Sequence, residues 1–194
     1  MEYTIEHKER LKFLCVTKTF NESDRTDDMI NDFWSQVDGD GHMDALLVSR
    51  PIGKRNLCGV CKNTDNPDEF IYAVGVLVDE ESDQDILKTV MENDVYKMLE
   101  FEPSDYAVFE CRGYNGNCME EVWAFVHGEF KQTSGYEYTG DYDYEEYMDD
   151  IDMDDIDMED DEDYDMDDME EEDMEDEDEI FCFLYVPVKR IDAE

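Results

Sequence analysis

The chain has 194 residues, enough for one domain or two small ones. Its 58 acidic residues against 15 basic ones give a net charge of −43, which argues against binding nucleic acid or an anionic lipid surface, since both need Lys and Arg for phosphate. No apolar run approaches the ~20 residues of a membrane span, and Met1-Glu2-Tyr3-Thr4-Ile5-Glu6-His7 has no apolar stretch of leader length, so a soluble, cytoplasmic protein is expected.

Tyr3–Ile5 and Phe13–Phe20 read as two extended stretches with polar residues between them. A helix follows from about Thr26. Asp27 and Asp28 suit its first turn, and Ile30, Phe33, Trp34 and Val37 fall at i, i+3, i+4 and i+7. Asp38-Gly39-Asp40-Gly41 ends it as a loop. Strands at Leu57–Cys61 and Phe70–Val78 flank the turn Asn63-Thr64-Asp65-Asn66-Pro67-Asp68. The order then recurs. Tyr96–Phe101 is a strand, Glu102-Pro103-Ser104-Asp105 a turn, Tyr106–Arg112 a strand and Gly113-Tyr114-Asn115-Gly116 a loop. A helix over Met119–Phe130 carries Met119, Val122, Trp123, Val126 and Phe130 on one side. A short strand at Tyr144–Tyr147 and a last strand at Ile180–Val188 complete the second half.

The charge is uneven: 27 of the 39 residues from Asp141 to Glu179 are acidic and none is basic. Their single Met, Ile and Tyr residues could be buried only by dragging carboxylates out of water, at several kcal/mol each. Residues 148–178 are therefore expected to be a disordered insertion between the last two strands, a length that loop entropy tolerates. Without Asp141–Glu179 the chain has 31 acids and 15 bases, an ordinary composition able to bury a core.

Each half thus reads as extended hairpin, helix, strand, strand. The expected fold is α+β: a single domain over residues 1–194 made of tandem duplicated βαββ-type modules, about 1–80 and 95–190. Their strands join in one curved sheet with the two main helices on one face. The opposite face, or the cleft between the halves, is left for a ligand.

Leu99-Glu100-Phe101-Glu102-Pro103-Ser104-Asp105-Tyr106-Ala107-Val108-Phe109-Glu110-Cys111-Arg112-Gly113 resembles the pattern L-E-I-P-A-G-x-Y-A-V-F-x-x-x-G of the GyrI-like, or AraC-type effector-binding, family. Glu121-Val122-Trp123-Ala124-Phe125-Val126-His127-Gly128-Glu129-Phe130 and Ser134-Gly135-Tyr136-Glu137 resemble that family's helix E-x-W-x-x-I-x-x-E-F and its exit S-G-Y-E. Tyr144-Glu145-Glu146-Tyr147 is similar to its F-E-x-Y strand, and Leu184-Tyr185-Val186-Pro187-Val188 to its closing I-x-I-P-V strand. Phe33-Trp34 and Tyr72-Ala73-Val74-Gly75-Val76 fit in the first half. The resemblance spans the chain except the acidic run. It implies an effector pocket between paired modules, in a family whose members stand alone or attached to helix-turn-helix regulators; some relatives hydrolyse strained electrophiles. This chain begins directly with the first strand, so no attached DNA-binding domain is expected. It departs from the pattern in two places: Phe183 stands where members often carry a Glu, and the acidic run replaces a short loop.

Against that background Glu145 is the sharpest candidate. On a strand it shares a face with Asp143 and Tyr147, and a carboxylate among aromatic rings can pair with an apolar cation; the alternative is a solvated acid at the edge of the acidic run. Trp34 and Trp123 are candidate pocket walls or core residues. Tyr72, Tyr106, Phe183 and Tyr185 fall on strands, where lining a cleft and packing a core are both open. Cys58-Gly59-Val60-Cys61 lacks the second pair that zinc requires and the strand-to-helix junction of a redox motif, so the six cysteines are expected to be small buried hydrophobes and no metal or cofactor is expected. His127 has no nucleophile in a recognisable motif beside it, and no catalytic residue is assigned.

Three functions follow. The first is a binding module that senses or sequesters a small apolar or cationic molecule. The second is a hydrolase of strained electrophiles, with Glu145 as general base and a Tyr as acid. The third is docking on a basic protein such as a DNA gyrase, with the acidic run imitating nucleic-acid charge; against it stands a plain solvated spacer.

Overall fold

The computed structural model describes residues 1–24, 27–51, 56–114, 117–148 and 179–191. The acidic insertion expected at 148–178 lies, from 149 onward, outside the described residues. In chain order the elements are β1 (Thr4–Lys8), β2 (Leu11–Asn21), α1 (Asp27–Gly39), α2 (His42–Val48), β3 (Leu57–Asn63), β4 (Glu69–Leu77), α3 (Gln84–Met91), β5 (Tyr96–Phe101), β6 (Ser104–Tyr114), α4 (Asn117–Phe125), a π-helical turn (Val126–Phe130), α5 (Lys131–Ser134), β7 (Tyr136–Tyr138), β8 (Tyr142–Tyr147) and β9 (Glu179–Arg190).

Among the described residues nine antiparallel strands form one open, curved sheet, in the order β1-β6-β9-β8-β3-β4-β2-β5, with β7 also paired to β9. The order is a palindrome under the exchange of β1 for β5, β2 for β6, β3 for β8 and β4 for β9, so a pseudo-twofold axis passes between β3 and β8. The hairpins expected within each half do not form. Only Glu9 and Arg10 separate β1 from β2, yet β1 pairs with β6 of the second module and β2 with β5. Each module lends its first strand to the edge of the other.

The register assigns side chains to faces. Glu145 stands opposite Gly59 and Leu184, Gly59 opposite Val74, and Val74 opposite Val16. That row belongs to the face carrying every helix. On it Phe33, Val37 and Leu46 of α1 and α2 pack over Leu14, Val16, Val74 and Val76. Val122, Val126 and Phe130 of α4 and its π turn pack over Phe109, Leu184 and Val186.

The other face curls on itself. Phe13 of β2 meets Tyr144 of β8 at 5.1 Å between ring centroids, and Phe101 of β5 stacks on Tyr142 at 3.8 Å. In a flat sheet β2 and β8, three places apart, would be about 14 Å from each other. The curl buries a second core of Phe13, Val60, Ala73, Tyr106, Tyr144 and Tyr185. Strands covered on both faces have no polar side, which is why Phe13-Leu14-Cys15-Val16 is buried without alternation.

Beyond the expected pair, α2, α3 and the one-turn α5 arise among the described residues. α2 begins where a loop was expected, because Gly41 takes a left-handed turn (φ 74°) that lets the chain reverse and bury Leu46. α3 bridges the modules, capped by Asp83, whose carboxylate accepts from the backbone N–H groups of Asp85 (2.9 Å) and Ile86 (3.1 Å). No helix among the described residues is long and apolar enough to cross a membrane.

Candidate functional site

β8 lies beside the pseudo-twofold axis on the side of the helices, between the ground covered by α1 and that covered by α4. Its period of two brings Asp143, Glu145 and Tyr147 to that face. Glu145 is half-buried and takes two phenol donors on one oxygen. The hydroxyl of Tyr147 donates to Oε2 at 2.7 Å and that of Tyr72, on β4, at 3.2 Å. Tyr72 in turn accepts from Trp34 Nε1 at 3.1 Å, and the Trp34 ring meets Tyr147 edge-on at 5.3 Å. Four of the residues predicted from sequence, Glu145, Tyr147, Tyr72 and Trp34, therefore form one connected cluster drawn from β8, β4 and α1.

Its electrostatics are consistent. Burial, then the charge of Glu145, pushes the Tyr72 phenol well above its ordinary range, and the same two causes act in the same order on Tyr147. Both stay protonated and remain donors. Two neutral donors thus converge on Glu145 Oε2 within a frame of rings.

Gly59 makes this cluster possible. A Cβ there would stand 2.7 Å from Glu145 Oε2 and in still closer collision with the Tyr72 hydroxyl. In sequence Gly59 is hidden inside Cys58-Gly59-Val60-Cys61, whose cysteines draw the eye first. The available signal was a glycine inside a strand, which often marks a close approach. The cysteine pair itself cannot act together: Cys58 and Cys61 project from opposite faces of β3, into different cores. None of the six cysteines forms a disulfide, and burial pushes the Cys15 thiol up to about 12. Among the described residues no group of three or more His, Cys, Asp or Glu side chains is arranged to hold a metal ion.

The remaining candidates lie elsewhere. Trp123 is on the helix side at the far flank of β8, stacked on exposed His127 at 5.4 Å and tilted against Tyr138 at 5.7 Å. Tyr106, Phe183 and Tyr185 belong to the curled face. Tyr106 is fully buried and hydrogen-bonded to Tyr142. Tyr185 stacks on Tyr144 at 4.4 Å and carries Lys8 Nζ 5.1 Å from its centroid. Phe183 and Tyr185 help line a broad, open hollow of about 1020 Å³ that wraps the β1–β6 edge and does not reach Glu145. Tyr138 and the burial of Asp143 were not foreseen, although the alternation that selects Glu145 also selects Asp143.

A profile of the GyrI-like small molecule binding domain matches residues 1–166. Among solved structures, one of SAV2435 bound to tetraphenylphosphonium aligns with a TM-score of 0.66 at 18% identity, covering 97% of this chain and 94% of that one. A putative bacterial transcription regulation protein from Staphylococcus aureus MU50 aligns at 0.63 and 16%, covering 97% and 99%. A hydrolase from Listeria innocua aligns at 0.51 and 12%, covering 97% and 92%. Identities this low establish a shared fold. A search of curated proteins returned no match. The duplicated modules, their helices on one side of a curved sheet and the profile match over most of the chain agree, and the chain belongs to the family of GyrI-like small molecule binding domains.

Proposed function

We propose that this protein binds a bulky, apolar, cationic small molecule on the helix side of β8, between α1 and α4, and acts by sensing or sequestering it. The single observation that carries this reading is Glu145: a half-buried carboxylate at the pseudo-twofold axis, with two phenols on one oxygen and Trp34 beside them. A cation there gains both charge pairing and the attraction of ring faces, while its apolar groups leave water. The presence of tetraphenylphosphonium in the structurally similar SAV2435 supports the choice of ligand class.

Tetraphenylphosphonium is accordingly the probe. Glu145→Gln keeps the shape and removes the charge, and should weaken it by about 1–3 kcal/mol, the range for a charge-assisted contact. Neutral triphenylphosphine oxide should be little affected. Equal losses for both probes, or none for either, in calorimetric titration would return Glu145 to the solvated acidic surface.

A second reading is favoured by the 2.7 Å contact between Tyr147 and Glu145 and by the hydrolase of similar fold. Glu145 would take a proton from water, and a Tyr would protonate the oxygen released as a strained ring opens. Incubation with a small epoxide separates the two: diol formation that Glu145→Gln abolishes marks a hydrolase, and an unchanged epoxide marks a binder. Docking of a basic protein such as a DNA gyrase is a third proposal, resting only on the 27 acids of Asp141–Glu179.

A further inference from the structure

Three of the six thiols gather beneath the start of α4. Cys111 of β6 stands directly opposite Cys182 of β9, on the helix side, and both are buried in the core under α4. Cys118, in the first turn of α4, packs against the same core. It reaches β6 over Gly113, where a Cβ would stand 3.6 Å from Cys118 Cβ and 3.9 Å from its Sγ. Gly113 and Cys111, two residues apart, share a face of that strand. The Cys111 sulfur accepts hydrogen bonds from the thiols of both Cys182 and Cys118.

The three sulfurs are not equivalent. The hydrogen bond from Cys182, outweighing burial, lowers the Cys111 thiol. Cys182 is raised by that same hydrogen bond and then by burial, so it stays protonated and donates. Burial, then the charge of Cys111, raises Cys118. Access runs the other way. Cys118 is half-exposed and, of these three, it alone lines the open hollow at the β1–β6 edge, beside Glu121 and Val122. Cys111 and Cys182 are 1% and 0% exposed. A reagent from solvent therefore meets Cys118 first, and the sulfur best able to attack next stands directly behind it.

We propose that Cys118 and Cys111 are a peroxide-oxidised thiol pair, joined as a disulfide that pins the first turn of α4 to β6. The Cys118 thiolate attacks one oxygen of hydrogen peroxide. The O–O bond breaks, and the departing hydroxide takes up the proton that Cys118 gave, leaving water and a sulfenic acid. The Cys111 thiolate then attacks Cys118 Sγ. The S–S bond forms, the S–O bond breaks, and the released hydroxide takes up the Cys111 proton as a second water. The two thiols lose two electrons in all and the peroxide gains them. Burial keeps Cys118 protonated, which makes the first step the slow one. The proposal stands independently of any ligand at Glu145.

The test treats the full reduced chain with hydrogen peroxide and maps its thiols by mass spectrometry without reductant. Trypsin cuts after Arg112 and Lys131, which puts Cys111, Cys118 and Cys182 on three separate peptides. The expected product has lost two hydrogens, joins the Cys111 and Cys118 peptides, and returns to free thiols with dithiothreitol. Cys182 and the remaining cysteines should stay open to alkylation once the chain is unfolded. Cys111→Ala should stop the second step and leave a sulfenic acid on Cys118 that dimedone captures, about tenfold more of it than in the unaltered protein. Cys118→Ser, at the half-exposed position, is the change least able to disturb folding, and should leave Cys111 and Cys182 reduced over the same time. A Cys111–Cys182 link as the main product, linkage no more specific than in guanidinium-unfolded chain, or an unchanged rate of disulfide formation in Cys118→Ser overturns the proposal. So does a Cys118 that peroxide carries past the sulfenic acid, or leaves untouched, without joining it to Cys111.

Discussion

At Gly59 the backbone of β3 passes beneath the hydrogen bond between Tyr72 and Glu145, with no room for a methyl group. Neither obstacle is backbone, so Gly59→Ala would displace two side chains. Tyr72, fully packed and tied to Trp34, has little space to give. The variant should lose about 1–3 kcal/mol of stability through overpacking, read from the melting transition, and should lose tetraphenylphosphonium affinity to a similar extent as Glu145→Gln. Unchanged affinity would mean that the phenols do not set the carboxylate's position. At this scale the sequence was informative where alternation alone decides the answer. Asp143, Glu145 and Tyr147 share a face because strands have a period of two. It was uninformative about Tyr106, Phe183 and Tyr185, because a tyrosine on a strand reads alike whether its face is a groove or the inside of a curl. Only long-range closure of the sheet distinguishes the two.

Among the elements, α3 has its start set by one side chain, Asp83. Its apolar positions are only partly buried, so packing contributes little and the cap matters in proportion. Asp83→Ala should cost about 1 kcal/mol, measured by chemical denaturation, and should leave cation binding at Glu145 intact. A loss well beyond 2 kcal/mol would show that α3 locks the modules together as well as connecting them. The helix is legible in outline, with Asp83 before Ile86, Leu87 and Val90, but it lies between the two halves and belongs to neither repeat. α2 and β7 are only seven and three residues long, too short for periodicity to declare them. The principal strands were legible as apolar runs. Their partners were not, since pairing β1 with β6 in place of β2 depends on chain remote from both.

For the molecule as a whole, both faces of the sheet hold phenols away from water. Burial is the main cause that raises Tyr72, Tyr106, Tyr144, Tyr147 and Tyr185 above the usual tyrosine value, with neighbouring carboxylates or phenols adding to it. A phenol whose folded pKa is raised binds its proton more tightly in the native state. Its contribution to stability is complete below the unfolded value of about 10 and is lost as pH rises past it. The protein should therefore unfold cooperatively in alkali, with tyrosinate absorbance and loss of far-ultraviolet circular dichroism rising together. Tyrosinate appearing while the dichroism stays native would show these rings to be open to solvent. The α+β class, the duplication and the side chosen by the helices were all accessible from hydrophobic pattern and resemblance. The curl was not, because curvature is a property of the assembled sheet.

The exchange of first strands also sets a timetable for synthesis. β1 is made first, yet its partners are Ser104 to Val108, about a hundred residues later. At ribosomal rates of roughly 5–20 residues per second, the opening strand spends on the order of 5–20 s outside the tunnel with its hydrogen-bonding edge unanswered. It is short and carries Glu6, His7 and Lys8, features that discourage pairing with another nascent chain during the wait. The first module cannot complete its own sheet in that interval either, because β5, the strand that closes its edge, is made just before β6. Neither repeat can be finished before the other has begun, and the nascent protein commits to its structure late, when both ends of the palindrome are in hand.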